Sequence, residues 1–577
     1  MNKDDGGSRL PKWVAAVIGV VAGAVALGVA QLAAGLTNAS ASPVIAVGGA
    51  AVDRTPPALK DWAIRNFGSN DKLVLISGIV VVLALIAAGL GVLSRRRVGY
   101  GMTGLLLFGL VGAGAAATRP DSGPFDILPS LIGVGAGAWA LSLLFRRVEL
   151  NDWDDLPEEY PAAAGTSAWT TDPEYSEYPP YADEGEPGED ERDADEPGGG
   201  EPVPHPAEMP PVMRAGDALY TFDRRRLLTG VAVGVGVAGV AGFGGRLLGA
   251  SKDVDLARRT VAKTLPRPAV AAKPIPAGAD LHLKDLSPFV TPNRDFYRVD
   301  TALVVPSVDP TDWTLKIHGL VDKPVELTFD DLLRRPLMEA DVTLTCVSND
   351  VGGPYVGNAR WLGARLADVL RDAGIRSDAD MLLSVSQDGF TCGTPVDVVM
   401  DGRDALLAVA MNGEVLPAAH GFPVRQVVPG LYGYVSATKW ITEIKVTRFD
   451  QDEAYWTPRG WSPRGPIKTE SRIDVPRDGD AVPHGPTIIA GVAWAQHKGI
   501  SAVEVQVDGG EWREAKLAEV NGPDTWRQWS IETDLTPGKR VITVRATDAS
   551  GYTQTPNYAP PAPDGATGYH AIGILVG

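Results

Sequence analysis

The chain has 577 residues, which is too long for one domain and predicts three or more structural units. Hydrophobic residues make up 45% of the chain although its formal net charge is −18, so apolar and charged residues must lie in different segments, and without a basic excess it is not expected to bind nucleic acid. Its two cysteines, Cys346 and Cys392, exclude a disulfide-rich scaffold and any four-cysteine zinc or iron–sulfur site.

Five uncharged stretches are each long enough to cross a bilayer, which takes about 20 residues for roughly 30 Å of hydrocarbon. They show no polar face, so we expect transmembrane helices, with helices buried in a protein core as the alternative. The predicted spans are Trp13 to Leu36, Leu73 to Ser94, Val98 to Thr118, Ile127 to Phe145 and Leu227 to Gly245. The first four form a transmembrane region over residues 1–147, and the fifth lies within residues 223–250.

Clusters of cations predict how these spans are oriented. The clusters are Arg9 with Lys12, Arg95 to Arg97, Arg146 with Arg147, and Arg224 to Arg226. Placing all four in the cytoplasm satisfies the positive-inside rule with five alternating crossings of the cytoplasmic membrane. The N-terminus is then cytoplasmic, and everything after Gly245 is extracytoplasmic.

Two segments of the chain are predicted to be linkers. Residues 148–222 are rich in Glu, Asp, Pro and Gly with almost no aliphatic run, which predicts a disordered acidic cytoplasmic linker. Residues 251–280 are expected to be a second linker. Between them, Asp223 to Leu228 and the apolar run that follows resemble a twin-arginine export signal, which carries folded proteins across the membrane; an ordinary stop-transfer flank is the alternative.

From about Leu281 the sequence changes to short strands, turns and a few helices. Residues 281–455 mix helical patterns, such as Arg365 to Ala373, with strand runs such as Leu382 to Gln387, which predicts an α+β domain. Residues 456–577 show no helical period. Their strand-like runs recur at sandwich spacing with glycine turns between them, which predicts an immunoglobulin-like β-sandwich.

The most informative segment runs from His420 to Gly433, with the sequence HGFPVRQVVPGLYG, and is followed by Lys439 and Trp440. Here the chain resembles the sulfite-oxidase family of molybdopterin-dependent oxidoreductases. The resemblance covers residues 281–577, and its last part is similar to the family's dimerisation domain. It implies a molybdenum–molybdopterin cofactor, a small-molecule substrate and a homodimer. Because no cytochrome or flavin motif is present, it also implies an external electron-transfer protein or a membrane redox partner.

The resemblance implies a set of site residues. Molybdenum bound by a pterin takes one further soft ligand from the protein, and Cys346 matches the family's metal-binding cysteine. Asn349 and Phe390 match catalytic positions near the metal. The positions that match pterin-binding and phosphate-binding residues are Asn293, Tyr297, Arg298, Asp388, His420, Arg425, Ala437, Thr438 and Lys439. Without the resemblance, Cys346 and Cys392 of an exported domain could instead form a disulfide.

The sequence also departs from this family. Asp350 and Val351 follow Asn349 where sulfite oxidases carry two arginines, Phe390 stands at the position of a tyrosine, and Arg298 is displaced from the position of a substrate-binding arginine. An anionic substrate needs several cations around the metal. We therefore expect a two-electron oxygen-atom transfer on a small sulfur compound, with a sulfoxide reductase or a non-catalytic binding module as the alternatives.

Overall fold

The structure is a computed structural model, and it describes residues 10–56, 59, 71–119, 122–148, 212–215, 218–221, 224–249 and 252–577. Within these residues, five helices are long and apolar enough to cross a membrane by length and composition. They are Lys12–Leu36, Val74–Ser94, Val98–Ala117, Leu128–Val148 and Arg225–Gly245. Each lies within a few residues of a predicted span, because a continuous apolar run favours one uninterrupted helix.

The first helix, α1 (Lys12–Leu36), packs closely against two of the other apolar helices, α3 (Asp71–Ser94) and α6 (Arg224–Gly249). A Cβ at Gly19 would lie 2.1 Å from the carbonyl oxygen of Ala87, and one at Gly28 would lie 2.6 Å from that of Ala238. Glycine is therefore required at both crossings, since a larger residue would push the helices apart. The other two long helices are α4 (Val98–Ala117) and α5 (Leu128–Val148).

Two shorter helices accompany the long ones, α2 (Pro43–Arg54) and α7 (Lys252–Thr264). Helix α7 corrects the expectation of a simple linker over residues 251–280. Val254 and Val261 lie one heptad apart, so they share a helix face, and both are buried in the core of the domain that follows. Arg258 of the same helix donates from Nε to the carbonyl oxygen of Leu416 at 2.8 Å.

Most of the predicted acidic linker, residues 149–211, 216–217 and 222, lies outside the described residues. Within it, strands β1 (Val212–Ala215) and β2 (Ala218–Thr221) pair in antiparallel fashion. This hairpin differs from the continuous disorder expected there. Its register places Met213 opposite Tyr220.

The domain that follows is built on two five-stranded sheets. In the first sheet the order is β10–β9–β6–β5 with β11 beside β9, and in the second it is β4–β3–β12–β7–β8. The strands are β3 (Thr314–Gly319), β4 (Val325–Thr328), β5 (Leu337–Thr345), β6 (Val356–Arg365), β7 (Met381–Ser386), β8 (Thr391–Pro395), β9 (Leu406–Met411), β10 (Glu414–Val415), β11 (Arg425–Val427) and β12 (Ile441–Thr447). The helices are α8 (Phe329–Leu333), α9 (Leu366–Ala373), α10 (Val396–Met400) and α11 (Gly433–Ser436). Strand β9 reads LLAVAM and is buried throughout, as a central strand covered on both faces must be.

The C-terminal region contains two further sheets, in the orders β13–β15–β19–β18 and β14–β21–β20–β16–β17. The strands are β13 (Glu470–Val475), β14 (Ala481–Val482), β15 (Gly485–Trp494), β16 (Ile500–Val507), β17 (Arg513–Glu514), β18 (Lys516–Leu517), β19 (Arg527–Leu535), β20 (Gly538–Asp548) and β21 (His570–Val576). Both sheets contribute to one apolar core, for example through Ile489, Trp529 and Val544. The immunoglobulin type of this region remains a prediction.

A separate apolar cluster joins the C-terminal sheets to the preceding domain. Trp494 and Trp526 pack there with Phe289, Val347 and Tyr432, all of them buried. Val347 directly follows Cys346 in the chain. The C-terminal region therefore supports the segment that carries the predicted metal ligand.

Candidate active site

Cys346 begins the loop that leaves strand β5. Its side chain is half-buried, its Sγ lies 2.9 Å from Ser348 Oγ, and its backbone N–H donates to the carbonyl oxygen of Tyr355 at 2.9 Å. Burial raises the pKa of the Cys346 thiol, against the opposing effects of Ser348 and of the charge on Lys439. Cys346 and Cys392 are both free, so the disulfide alternative is wrong, and the fully buried Cys392 fills the core.

Asn349 organises the rest of this loop. Its backbone N–H donates to the carbonyl oxygen of Cys346 at 3.0 Å, and its Oδ1 accepts from the backbone N–H of Tyr355 at 2.7 Å. Its Nδ2 is buried and has no hydrogen-bond partner among the described residues. A buried donor without a partner is costly, which points to a ligand that supplies the acceptor.

Arg425 provides a buried cation close to the cysteine loop. Its Nη1 donates to the carbonyl oxygen of His420 at 3.1 Å, and the guanidinium lies over the Trp361 ring, 4.9 Å from its centroid. Burial lowers the pKa of Arg425 to about 10, so the group stays charged at neutral pH. Its Nε has no hydrogen-bond partner within the part of the chain that the structure describes, and is available to a ligand.

Lys439 is the second buried cation, and its main partner is Asp300. Lys439 Nζ donates to Asp300 Oδ2 at 2.7 Å and to the carbonyl oxygen of Ala419 at 3.3 Å. The same Asp300 oxygen lies 3.3 Å from Nε of Arg298, so one carboxylate pairs with two cations. Burial lowers the pKa of Lys439 to about 8, while Asp300 acts to raise it.

His420 is followed by a tight turn at Gly421, whose backbone lies close to both Arg425 and Lys439. Gly421 has a φ of +111°, and a Cβ there would lie 2.9 Å from Arg425 Cβ and 3.2 Å from Lys439 Cα, so only glycine allows this approach. Burial and the neighbouring Arg425 lower the pKa of His420 to about 4. The imidazole is therefore neutral at pH 7, and its Nε2 lies 3.1 Å from the carbonyl oxygen of Asn293.

Ala437 and Thr438 form the wall between the two cations. The carbonyl oxygen of Ala437 accepts from Arg425 Nη2 at 3.4 Å, and that of Thr438 accepts from the backbone N–H of Gln426 at 2.8 Å. The Thr438 hydroxyl lies 2.6 Å from Ser384 Oγ. These bonds fix the loop that leads to Lys439.

Tyr297 lies near Cys346 and Arg425, close enough for both charges to affect its ionisation. Its pKa is raised, mainly by burial and further by Cys346, while Arg425 opposes the rise. The hydroxyl therefore stays protonated at neutral pH. A Cβ on Gly433 would lie 3.8 Å from this hydroxyl, so the backbone of α11 lines the same space.

Three further predicted site residues, Asp388, Asn293 and Phe390, contact other side chains in the structure. Asp388 Oδ2 accepts from the hydroxyl of Thr301 at 2.9 Å, and Asn293 Oδ1 accepts from Nδ2 of Asn412 at 2.8 Å. Phe390 packs against Tyr455, with ring centroids 5.8 Å apart. Tyr297, in contrast, interacts electrostatically with Cys346.

Three contributors were missed by the sequence reasoning, namely Ser348, Trp361 and Asp300. Trp361 lies under the guanidinium of Arg425. Asp300 is the only acidic residue within ten residues after Arg298. Its position two residues after a predicted site cation was a signal that could have suggested an ion pair.

The donors of the site suit an anionic, metal-bearing cofactor. A half-buried thiol, two buried cations and two unpartnered buried N–H donors, on Asn349 and Arg425, converge there. A thiolate is the soft ligand that molybdenum accepts, and fixed guanidinium and ammonium groups bind phosphate. The residues present therefore fit a molybdenum–pterin group.

Comparisons with known proteins agree with this chemistry. A family model described as "Oxidoreductase molybdopterin binding domain" matches residues 302–456. An uncharacterized oxidoreductase of Bacillus subtilis, YuiH, is 36% identical over 157 residues, which cover 27% of this chain and 76% of that protein. This chain belongs to the sulfite-oxidase family of molybdopterin-dependent oxidoreductases. Its cofactor is molybdenum–molybdopterin, and the match contains Cys346, His420, Arg425 and Lys439.

Longer relatives match this family member over part of their length. Human mitochondrial sulfite oxidase is 32% identical over 322 residues, which cover 47% of this chain and 58% of the human protein. The chain thus spans little more than half the length of that relative. The crystal structure of the sulfane dehydrogenase SoxCD from Paracoccus pantotrophus matches with 25% identity and a TM-score of 0.40, over 48% of this chain and 79% of that chain.

Proposed function

We propose that this protein is a membrane-anchored molybdopterin-dependent oxidoreductase that transfers an oxygen atom to or from a small sulfur compound. The observation that carries the proposal is the convergence of the free, half-buried Cys346 with two buried cations, Arg425 and Lys439. When bound, the cofactor supplies the two-electron oxygen-atom chemistry. The protein supplies binding, orientation and electrostatics.

Each residue has a role that follows from its contacts. Cys346 Sγ is the metal ligand, and Arg425 and Lys439 bind the phosphate of the pterin. His420 is neutral, so it orients the loop without adding positive charge. The hydroxyl of Tyr297 stays protonated and would donate a hydrogen bond to an oxygen atom of the substrate.

A sulfoxide reductase is the second candidate, and the pairing of Asp300 favours it. Asp300 pairs with both Lys439 and Arg298, which lowers the positive charge that an anion such as sulfite would need. The phosphate of the cofactor would neutralise most of the positive charge that remains. An uncharged sulfoxide does not need this positive charge for binding.

The membrane location is supported by the apolar helices and by the cations at their ends. Five helices are long enough to span, and Arg95 to Arg97, Arg146 and Arg147 lie at ends that the positive-inside rule assigns to the cytoplasm. The cofactor domain follows α6 at the opposite end, and we therefore propose that it lies outside the membrane. A twin-arginine route would export it folded with its cofactor. An external redox partner and a homodimer through the C-terminal sheets complete the proposal.

Metal analysis of the purified full-length chain tests the proposal, with wild type beside Cys346→Ser and with Cys392→Ser as the matched control. We expect about one molybdenum per wild-type chain, since one thiolate completes one metal site. Cys346→Ser should abolish activity and alter the metal spectrum, whereas Cys392→Ser should keep both. Activity with sulfite and with sulfoxides then separates the two candidates. Metal-free protein from a host that makes the cofactor would leave only the binding-module alternative.

A further inference from the structure

The segment from Val299 to Val305 connects the active site to the apolar helices. On its active-site side, Asp300 pairs with Lys439 at 2.7 Å, and Thr301 donates from its hydroxyl to Asp388 Oδ2 at 2.9 Å. Two of the predicted cofactor-binding residues are thus bonded to this one segment. Any surface that holds the segment also acts on those residues.

On its other side, the segment contacts the helices near one end. A Cβ on Gly48 of α2 would lie 3.0 Å from Leu303 Cδ1 and 3.4 Å from Cδ1 of Ile79 in α3. Ile79 is five residues after Val74, where the apolar stretch begins. With a rise of 1.5 Å per residue, it lies about 8 Å along the helix from that end. Leu303 therefore packs close to the depth at which hydrocarbon would begin.

The neighbours of Leu303 leave apolar side chains exposed at this level. Val299 and Val304 are 46% and 42% exposed, and residues 299–308 contain one charged side chain, Asp300, which is already paired. Exposed apolar area of this kind gains about 25 cal/mol per Å² when it leaves water. The adjacent Arg298 is 42% exposed and suits anionic lipid headgroups.

We propose that this segment rests on the membrane, with Val299 and Val304 inserted into the outer leaflet beside α2 and α3. The proposal rests on the proposed membrane anchoring, and the binding partner of the segment is a lipid surface. The helices then do more than anchor the enzyme. They and the lipid hold the segment that bears Asp300 and Thr301, and so they position the cofactor-binding loops.

Photo-crosslinking in lipid nanodiscs tests this contact. The full-length chain carries p-benzoyl-phenylalanine in place of Val304, in nanodiscs of phosphatidylcholine and phosphatidylglycerol, and lipid adducts are measured by mass spectrometry. Val81, which is 57% exposed in the middle of α3, is the positive control, and Val541, which is 50% exposed in the C-terminal sheets, is the negative control. We expect on the order of ten-fold more lipid adduct at position 304 than at 541, because a side chain inserted at the interface meets acyl chains and one on the C-terminal sheets meets water.

The controls separate failure of this inference from failure of the membrane anchoring. Lipid adducts at position 81 with none above background at 304 would overturn the inference and leave the anchoring intact. No adduct at 81 would overturn both. The same probe at Val299 repeats the test at a second position, and an unchanged molybdenum content shows that each variant is folded.

Discussion

At the scale of single residues, burial decides the charge of the groups predicted to bind the cofactor. Burial lowers the pKa of His420 to about 4 and that of Arg425 to about 10, so at neutral pH the imidazole is uncharged and the guanidinium is charged. His420 can therefore orient the loop by a hydrogen bond to Asn293 without repelling Arg425. Positive charge is concentrated on Arg425 and Lys439.

Replacement of Arg425 should weaken cofactor retention. Arg425→Gln removes a charge-assisted donor to the phosphate, and each such bond contributes about 1.5–3 kcal/mol. We expect the molybdenum content of the purified chain to fall at least ten-fold. Arg376→Gln is the control, because that arginine is 55% exposed and pairs with Asp378 at the surface. Equal molybdenum contents in the two variants would contradict the role of Arg425.

At the scale of elements, a strand of the C-terminal region shapes the loop that carries Cys346. Arg472 of β13 donates from Nη1 to the carbonyl oxygen of Gly353 at 2.8 Å, and it pairs with Asp474 at 2.6 Å. Gly352 has a φ of +75°, and a Cβ there would lie 2.2 Å from the ring of His570. The loop can therefore pack against the sheet only with glycine at this position.

Loss of the contacts of Arg472 with Gly353 and Asp474 should destabilise the loop that carries Cys346 more than loss of an exposed ion pair would. In Arg472→Gln the buried Asp474 loses its partner, which costs about 3–5 kcal/mol. In Arg477→Gln the exposed pair with Asp285 is lost, which costs about 0–1 kcal/mol. We expect a clear fall in Tm and faster alkylation of Cys346 by iodoacetamide in cofactor-free Arg472→Gln. If Arg477→Gln has the same Tm and the same alkylation rate as Arg472→Gln, the contacts of Arg472 have no special role.

At the scale of the whole molecule, the two regions meet over buried polar groups as well as apolar ones. Glu470, at the start of β13, is 5% exposed and lies near Lys468 and Asp350. Burial raises its pKa from 4.5 to about 8, although Lys468 opposes the rise. The folded protein therefore binds this proton more tightly than the unfolded chain does.

This proton makes the stability of the folded chain depend on pH. The contribution of Glu470 is fully present below pH 4.5 and is lost as pH rises to about 8, because the carboxylate must then be charged inside the protein. The expected slope is about 1.4 kcal/mol per pH unit in that window. Glu470→Gln stays neutral, so its Tm should fall less between pH 5 and 8 than that of wild type. If the Tm values of wild type and of Glu470→Gln change equally with pH, Glu470 does not carry a buried proton.

The sequence predicted those parts of the molecule that depend on local pattern. The five apolar helices follow from uninterrupted apolar runs, and the family and its cofactor follow from the motif at His420 to Gly433. The amphipathic helix α7 was missed, because Val254 and Val261 show their common face only against a core. Phe390 remains a predicted catalytic position, and its observed neighbour is Tyr455.

The sequence by itself determined the family and the cofactor, because these depend on short motifs whose chemistry needs particular side chains, among them the residues predicted for the site. Only the tertiary structure decided how these residues act on one another. Asp300 meets Lys439 across 139 positions of the chain, and Arg472 reaches Gly353 across 119. Such contacts depend on how distant strands pack together, and burial at those contacts then sets the pKa values of the site.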